Sequence, residues 1–165
     1  MRTTLVALVM LFLASSAAAQ VVTPTNESSK ELGQTVYGLG LKAGCAGGFG
    51  LSFRHHFPTQ YSYQIVGGII KVNTKLRYDI ALELQYDLVR GDASRFFACG
   101  AGGYFYSSES SVSNDLDGPF RVGLGIGGEW LRVQPFHLSA ELVFTYFNDG
   151  TVLPLPEVSA HYYFF

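Results

Sequence analysis

Residues 75 to 88 read KLRYDIALELQYDL, and the strict alternation of polarity in this stretch decides the fold. Its even positions, from Leu76 to Leu88, are all apolar. Its odd positions are polar or charged, with Ala81 as the exception. Because successive side chains of a strand point to opposite faces, this period of two predicts a long β-strand with one apolar and one polar face. The fold then depends on which face points inward.

The same period recurs along the chain and predicts seven further strands. The eight predicted strands cover residues 37–45, 49–57, 61–72, 75–88, 95–106, 120–131, 136–147 and 158–165. Short turns separate most of them, whereas 107–118 and 148–157 are longer loops rich in Ser, Gly and Pro. This pattern predicts an all-β fold, an eight-stranded antiparallel up-and-down transmembrane barrel, because closure leaves no unpaired strand edge.

The first twenty residues, MRTTLVALVMLFLASSAAAQ, predict a secretory signal peptide. A positive start at Arg2 precedes an apolar stretch, and small residues lead to cleavage between Ala19 and Gln20. The alternative is an N-terminal membrane anchor, but the apolar stretch is shorter than the ~20 residues that a spanning helix needs. We therefore expect a signal peptide over 1–19, a flexible leader over 20–33 and a barrel over 34–165.

Composition narrows the function classes. A net charge of −2 gives no basic surface for nucleic acid. After the signal peptide, no apolar run is long enough for a membrane helix. Cys45 and Cys99 are too few for a disulfide-rich secreted scaffold, and we expect them to be small apolar fillers. A single bridge between them in an oxidising compartment stays open.

The number of large side chains on the apolar face indicates that this face points outward. The interior of an eight-stranded barrel is just wide enough for side chains to fill. Here the apolar face carries Tyr, Phe, Leu or Ile on nearly every strand, which is more than such an interior holds. The opposite face is rich in glycine, which leaves space for long polar side chains. We therefore predict lipid on the apolar side and a polar lumen.

Balanced charge on the polar face supports this interpretation. By parity the lumen receives Lys42, Arg54, Arg77, Asp79, Glu83, Arg121, Glu129 and Glu141. Because buried ions are costly unless they are paired, equal numbers of cations and anions favour a salt-bridged, largely closed lumen. The apolar face carries no charge in the middle of a strand, where a charge facing lipid would cost about 2–4 kcal/mol.

Aromatic side chains gather at the predicted strand ends. If the N-terminus lies on the inner side, the inner rim receives Tyr37, Phe57, Tyr86, Trp130, Phe136 and Phe164. A second group at the outer rim comprises Phe49, Tyr78, Tyr104, Phe120 and Tyr146. Two aromatic girdles are typical of membrane barrels, and this orientation places both long loops outside.

These features together resemble the small outer-membrane β-barrel proteins of Gram-negative bacteria, with the architecture of the barrels of outer-membrane proteins A and X. The resemblance covers residues 34–165 and rests on the signal peptide, the strand count and the segment HYYFF at 161–165. Members commonly finish on an aromatic residue in an alternating strand that the barrel-insertion machinery reads. The resemblance implies an outer-membrane location, with membrane lipid and that machinery as partners. Phe165 departs from the pattern because it has lumen parity.

The resemblance also raises the possibility of catalysis. Lipid A deacylases of this barrel class use a His-x-Ser pair with a nearby Glu, and His137, Ser139 and Glu141 resemble that set. All three point into the lumen by parity, where lipid does not reach, and Ala140 stands where that family has Asn. We therefore favour a lumenal hydrogen-bond network over an enzyme.

Two other patterns carry no chemistry. His55 and His56 point to opposite faces of a strand and cannot share a metal ion. His161 is isolated in sequence, and we expect ordinary rim histidines. The glycine run at 123–128 has no helix after it, so it lacks the phosphate-binding mechanism.

We expect a monomeric barrel with a structural or adhesive role that presents the loops 107–118 and 148–157 at the cell surface. No cofactor, metal site or catalytic residue is predicted. Two alternatives remain open at this point: a narrow channel for small solutes, and a soluble lipocalin-like carrier of a hydrophobic ligand.

Overall fold

Eight antiparallel strands close into a barrel in the computed structural model, which describes residues 35–91, 93–109, 114–116, 118–131 and 136–164. The strands are β1 Val36–Ala43, β2 Phe49–His56, β3 Tyr61–Val72, β4 Lys75–Arg90, β5 Ser94–Ser108, β6 Phe120–Trp130, β7 Phe136–Phe147 and β8 Val152–Phe164. Each strand pairs with the next, and β1 pairs with β8. The predicted fold class is confirmed. No helix among the described residues has both the length and the hydropathy needed to cross a bilayer.

Residues 75–88 form most of β4, and their side chains point alternately to the outer surface of the barrel and into its lumen. Leu82 and Leu84 are 48% and 59% exposed on the outer surface, whereas Glu83 between them is fully buried. The strand continues two residues past the predicted end, through a register shift between Asp87 and Val89. Such a bulge adds a residue without breaking the pairing, which explains the extra length.

Strand β8 begins six residues before the predicted start, which corrects the predicted 148–157 loop. Residues 152–157 pair with β7, with Pro154 opposite Phe144 and Pro156 opposite Leu142. The pairing of β8 with β1 begins only at Val158, so this first half of β8 has an open edge. Proline is tolerated on an edge strand because no partner there needs its missing N–H. The connection between β7 and β8 is therefore the short turn 148–151.

The connection between β1 and β2 folds into the barrel. Ala46 in the middle of residues 44–48 is fully buried and packs with Phe97, Ala101 and Val143 of the lumen wall. Gly48 adopts a φ of +88°, a conformation that side chains other than glycine rarely take. We call residues 44–48 the plug loop.

Several predictions lie outside the described residues. These are the signal peptide with its cleavage between Ala19 and Gln20, the leader 20–33, the turn at 133–135 and the register of Phe165.

Candidate functional site: the lumen of the barrel

The lumen is lined by alternate residues of all eight strands, and its charged groups form two clusters. The arginine cluster comprises Arg54, Asp87, Arg95 and Glu129. The lysine cluster comprises Lys42, Glu83, Glu141 and Glu157. All eight residues are less than a tenth exposed, so both clusters are enclosed by the barrel wall.

The arginine cluster is centred on Glu129 of β6. One oxygen of its carboxylate accepts from Arg54 Nη1 at 2.9 Å and from Arg95 Nε at 2.5 Å. The other oxygen accepts from the Tyr163 hydroxyl at 3.0 Å. Arg95 also donates to Asp87 Oδ1 at 2.6 Å. Arg90, which is partly exposed, lies beside this cluster with its Nη1 3.7 Å from Asp87 Oδ2. The two carboxylates therefore face three guanidinium groups, so this end of the lumen does not lack positive charge.

Neutral side chains complete the arginine cluster and connect it to the second one. Gln64 accepts from Arg54 Nε at 2.8 Å. Gln85 accepts from Arg95 Nη2 at 2.7 Å and donates to Glu83 Oε1 at 2.5 Å. The lumen therefore contains one continuous polar network. Charge-assisted hydrogen bonds of this kind are roughly twice as strong as neutral ones, which favours a rigid interior.

The lysine cluster is not balanced. The Lys42 ammonium is ion-paired with Glu83, lies 2.7 Å from Glu141 Oε2 and 3.3 Å from Glu157 Oε2. One cation therefore faces three carboxylates whose side chains are fully buried. Glu157 gains further partners in the plug loop, where the backbone N–H groups of Ala46 and Gly47 donate to it at 2.8 and 3.2 Å.

Two more lumen side chains hold the plug loop and the residue that follows it from other strands. Asp79 Oδ2 accepts from the backbone N–H of Phe49 at 2.8 Å. Arg121 Nη1 donates to the Cys45 carbonyl at 3.3 Å, and its guanidinium lies 4.2 Å from the centre of the Phe105 ring. The loop itself is thus held by Arg121 of β6 and Glu157 of β8, while Asp79 of β4 holds Phe49, the residue that follows the loop.

The predicted lumen residues are therefore distributed unequally. Lys42, Arg54, Glu83, Glu129 and Glu141 lie in the two clusters, and Asp79 and Arg121 lie beside the plug loop. Arg77 is exposed and belongs to neither cluster. It has the expected parity, but it lies two residues from the start of β4, beyond the level at which the barrel encloses side chains.

Sequence reasoning missed four charged residues that are ion-paired in the lumen, namely Asp87, Arg90, Arg95 and Glu157. Asp87 and Arg95 lie at strand ends that were read as adjoining a turn, and Glu157 lay in the predicted loop. Parity along β4 does place Asp87 with Glu83, so that signal was present in the sequence.

The histidines also differ from the expectation of rim positions. His161 Nε2 lies 2.8 Å from Ser52 Oγ, and His56 Nε2 lies 3.0 Å from the Tyr163 hydroxyl, both inside the lumen. His55 lies on the outside, with its ring centre 4.7 Å from that of Tyr37. Its neighbour His56 faces the opposite way, as parity predicts.

The predicted inner girdle residues lie on the outer surface near one end of the barrel. Tyr37, Phe57, Tyr86, Trp130, Phe136 and Phe164 are all more than a third exposed. Ring centres of Tyr37 and Phe164 lie 6.3 Å apart, and those of Phe136 and Tyr162 lie 5.4 Å apart. At the other end, the centre of the Tyr104 ring lies 5.0 Å from that of Phe120. Aromatic side chains thus ring both ends of an aliphatic belt.

Comparison with solved structures gives a likeness in architecture. The chain resembles the NMR solution structure of the E. coli outer membrane protein W. The sequence identity is 14% and the TM-score is 0.43, and the match covers 80% of this chain and 98% of that one. No protein-family model and no curated protein matches the chain. Roles for individual residues therefore come from the contacts of this chain alone.

The arrangement does not bring the suspected catalytic residues together. His137 Nδ1 lies 3.3 Å from Glu129, Ser139 Oγ lies 2.5 Å from Ser159 Oγ, and Glu141 is paired with Lys42. A serine nucleophile needs a base within hydrogen-bond reach, and Ser139 is bonded to another serine instead. The geometry supports a structural network at these three positions.

Outside the barrel, the structure describes residues 109, 114–116, 118 and 119 of the β5–β6 connection, and hydrogen bonds join two of them to β4 and β5. Asn114 Oδ1 accepts from the backbone N–H of Ser107 at 3.0 Å, and its amide donates to the Phe105 carbonyl at 3.0 Å. Lys75 donates to Glu109 Oε1 at 2.9 Å, and this hydrogen bond lowers the pKa of the Glu109 carboxyl. In the β7–β8 turn, the Thr151 backbone N–H similarly lowers the pKa of Asp149.

Proposed function

We propose that this chain is an outer-membrane barrel with a structural, surface-presenting role and a closed lumen. One observation carries the proposal: the usual distribution of polarity is inverted. Leu51, Ile69 and Leu124 are about three quarters exposed on the outside, whereas Arg54 and Glu83 are fully buried inside. Exposed apolar surface of this extent marks contact with a membrane or a partner, and an unbroken belt around a barrel fits lipid.

The interior favours a scaffold over a carrier. A soluble lipocalin-like carrier holds its hydrophobic ligand in an apolar cavity. In the described residues, the middle of this lumen is instead occupied by the two ion clusters and their glutamine bridge. A paired, hydrogen-bonded interior stabilises the closed wall and leaves no apolar space for such a ligand.

Presentation at the cell surface rests on the β5–β6 connection. Strands β4 and β5 are the longest of the barrel, and β5 extends past the aromatic residue Tyr104 as far as Ser108, where the connection to β6 begins. Among the described residues of this connection, Asn114 is held against β5 by hydrogen bonds with Ser107 and Phe105. Since 148–151 is only a tight turn, we restrict the presenting role to 109–119. We also propose that the chain is a monomer and that its partners are membrane lipid and the barrel-insertion machinery.

Fractionation of cells that express the chain tests the location. We expect it in the outer-membrane fraction, released by detergent and not by high salt or carbonate. It should migrate faster on a gel when unheated than when boiled, because a folded barrel stays compact in the gel detergent. Recovery in the soluble periplasmic fraction would overturn the proposal.

A narrow channel is the second candidate, and the plug loop is the observation that favours it. Its five small residues lie inside one end of the lumen, where Arg121 and Glu157 hold them by hydrogen bonds. Movement of so short a segment would open that end. Planar-bilayer recording of the wild type and of Glu157→Ala, with Glu109→Ala as the control, separates the candidates. The scaffold predicts no unitary steps from the wild type, whereas regular steps would establish the channel.

A further inference from the structure

The imbalance of the lysine cluster identifies a place in the lumen that lacks positive charge. Lys42 supplies one positive charge to three enclosed carboxylates, which leaves two negative charges uncompensated within the cluster. The guanidinium groups of Arg54, Arg90 and Arg95 are paired with Glu129 and Asp87 and form no ion pair with the three carboxylates of the lysine cluster. Uncompensated charge in an enclosed site is expensive, so this place favours an additional cation.

An unpartnered oxygen points to the same place independently. Glu141 is 5% exposed, and its Oε2 is bonded to Lys42. Its other oxygen, Oε1, is buried and has no hydrogen-bond partner among the described residues. A buried carboxylate oxygen normally accepts at least one hydrogen bond, so this atom is available as a ligand.

A thiol completes the set. Cys99 of β5 is 5% exposed, is not in a disulfide, and points into the lumen beside both carboxylates. Its Sγ, one carboxylate oxygen of Glu83 and one of Glu141 all lie within 4.8 Å of one another. A zinc ion binds sulfur at about 2.3 Å and carboxylate oxygen at about 2.0–2.2 Å, so small side-chain rotations would close the three atoms around one ion.

We propose that Glu83, Cys99 and Glu141 form a lumenal site for a borderline-soft divalent cation of the zinc type. One sulfur and two oxygen donors select such a cation over Mg²⁺ or Ca²⁺, which prefer oxygen alone. Binding converts the thiol to a thiolate and releases one proton, while the ion adds two positive charges. The net negative charge of the cluster therefore falls by one. A water molecule or the second Glu83 oxygen supplies the fourth position.

Cobalt substitution tests the thiolate bond in the wild-type chain. The barrel is refolded in detergent with Co²⁺, then passed through a desalting column. We expect about one Co²⁺ per folded chain and the intense near-ultraviolet charge-transfer absorption of a cobalt–thiolate bond, both lost on competition with Zn²⁺. A refolded wild-type barrel without bound metal, or with cobalt and no thiolate absorption, would overturn the proposal.

The two cysteines provide a matched pair of variants. Cys99→Ser should lose the charge-transfer absorption and weaken Zn²⁺ binding at least tenfold. Cys45→Ser, in the plug loop, should retain both. Gel mobility of the unheated samples verifies that each variant is folded. Equal zinc affinity in the two folded variants would contradict the site, and the wild-type cobalt spectrum still decides if Cys99→Ser fails to fold. Fractionation, which tests the barrel itself, is independent of these results.

Discussion

At the scale of single residues, the Glu129 carboxylate in the lumen contacts side chains from four other strands. Its two oxygens receive Arg54, Arg95 and Tyr163, with His137 at 3.3 Å. Each of these partners comes from a different strand, so one carboxylate links four parts of the wall. The exposed pair of Lys75 and Glu109 has similar geometry but lies in solvent. The two sites allow the same charge removal to be compared in opposite environments.

Substitution of Glu129 tests the value of a buried carboxylate. Glu129→Ala leaves two guanidinium groups buried without their shared partner, and we expect it to destabilise the barrel by about 3–5 kcal/mol. Glu109→Ala removes an exposed partner and should leave stability nearly unchanged, because exposed ion pairs contribute little. Urea unfolding in lipid vesicles, followed by tryptophan fluorescence, measures both. Equal effects of the two changes would show that the lumen is hydrated and open.

The titration of the Glu109 carboxyl gives a prediction for how the Lys75–Glu109 contact of the β5–β6 connection depends on pH. Because Lys75 lowers the pKa of this carboxyl, its contribution to the loop is present above the ordinary value of 4.5 and is lost as the pH falls through the lowered value. An NMR titration of the Glu109 carboxyl carbon should have its midpoint below 4.5, and Lys75→Met should raise it. The stability of the barrel should not change, since the pair is exposed. If Lys75→Met leaves the titration midpoint of Glu109 unchanged, the ion pair between Lys75 and Glu109 is contradicted.

At the scale of elements, the glycines of β5 and β6 differ in whether side-chain packing requires them. A Cβ on Gly123 would lie 2.5 Å from Val143 Cγ1 and 3.1 Å from Ala46 Cβ, so glycine there makes room for the plug loop. A Cβ on Gly102 would meet only ordinary contacts, the nearest at 3.6 Å from Val122 Cγ1. Only the first glycine is required by packing.

The matched change to alanine separates these reasons. Gly123→Ala should cost about 1–3 kcal/mol through overpacking, first against Val143 of β7 and then against Ala46 of the plug loop. Gly102→Ala should be neutral or slightly stabilising, because alanine restricts the unfolded chain. The temperature at which the fast-migrating gel band is lost reports both. If both variants behave like the wild type, the packing of Val143 and Ala46 around Gly123 is not as tight as the structure gives it.

The alternation of polar and apolar residues predicted well which face of each strand points into the lumen. It could not predict how deeply a given residue lies within the barrel. Parity placed Glu83 and Glu141 in the lumen, and it also placed Arg77 there, although Arg77 lies exposed near the strand end. Whether a lumen residue is enclosed depends on strand tilt and register, which a single sequence does not contain. The clusters were also out of reach for this reason, since Lys42, Glu83 and Glu141 come from β1, β4 and β7.

Proline was the second source of error. Pro154 and Pro156 read as breakers, so the first half of β8 was predicted as a loop and Glu157 was lost from the lumen. The rule that proline avoids strands holds for central strands. Its exception at an edge requires knowledge of the neighbours, here the fact that β1 ends opposite Val158.

At the scale of the whole molecule, the apolar belt should make stability depend on depth in the bilayer. Leu124 lies midway along β6, whereas Val72 is the last residue of β3, and both are more than half exposed. Leu124→Arg should destabilise the folded barrel by about 2–4 kcal/mol, and Val72→Arg by about 0–1 kcal/mol. Unfolding in vesicles measures the difference. Equal costs at both positions would contradict a transmembrane orientation of the strands.

The plug loop also bears on how the cylinder closes. Glu157 on β8 reaches the amides of Ala46 and Gly47 only when β8 lies in its native alignment with β1. Sliding β8 by one residue would turn that carboxylate outward into hydrocarbon and leave both amides without an acceptor. The hydrogen bonds of Glu157 thus favour closure of the first and last strands in the native register over closure in a shifted one.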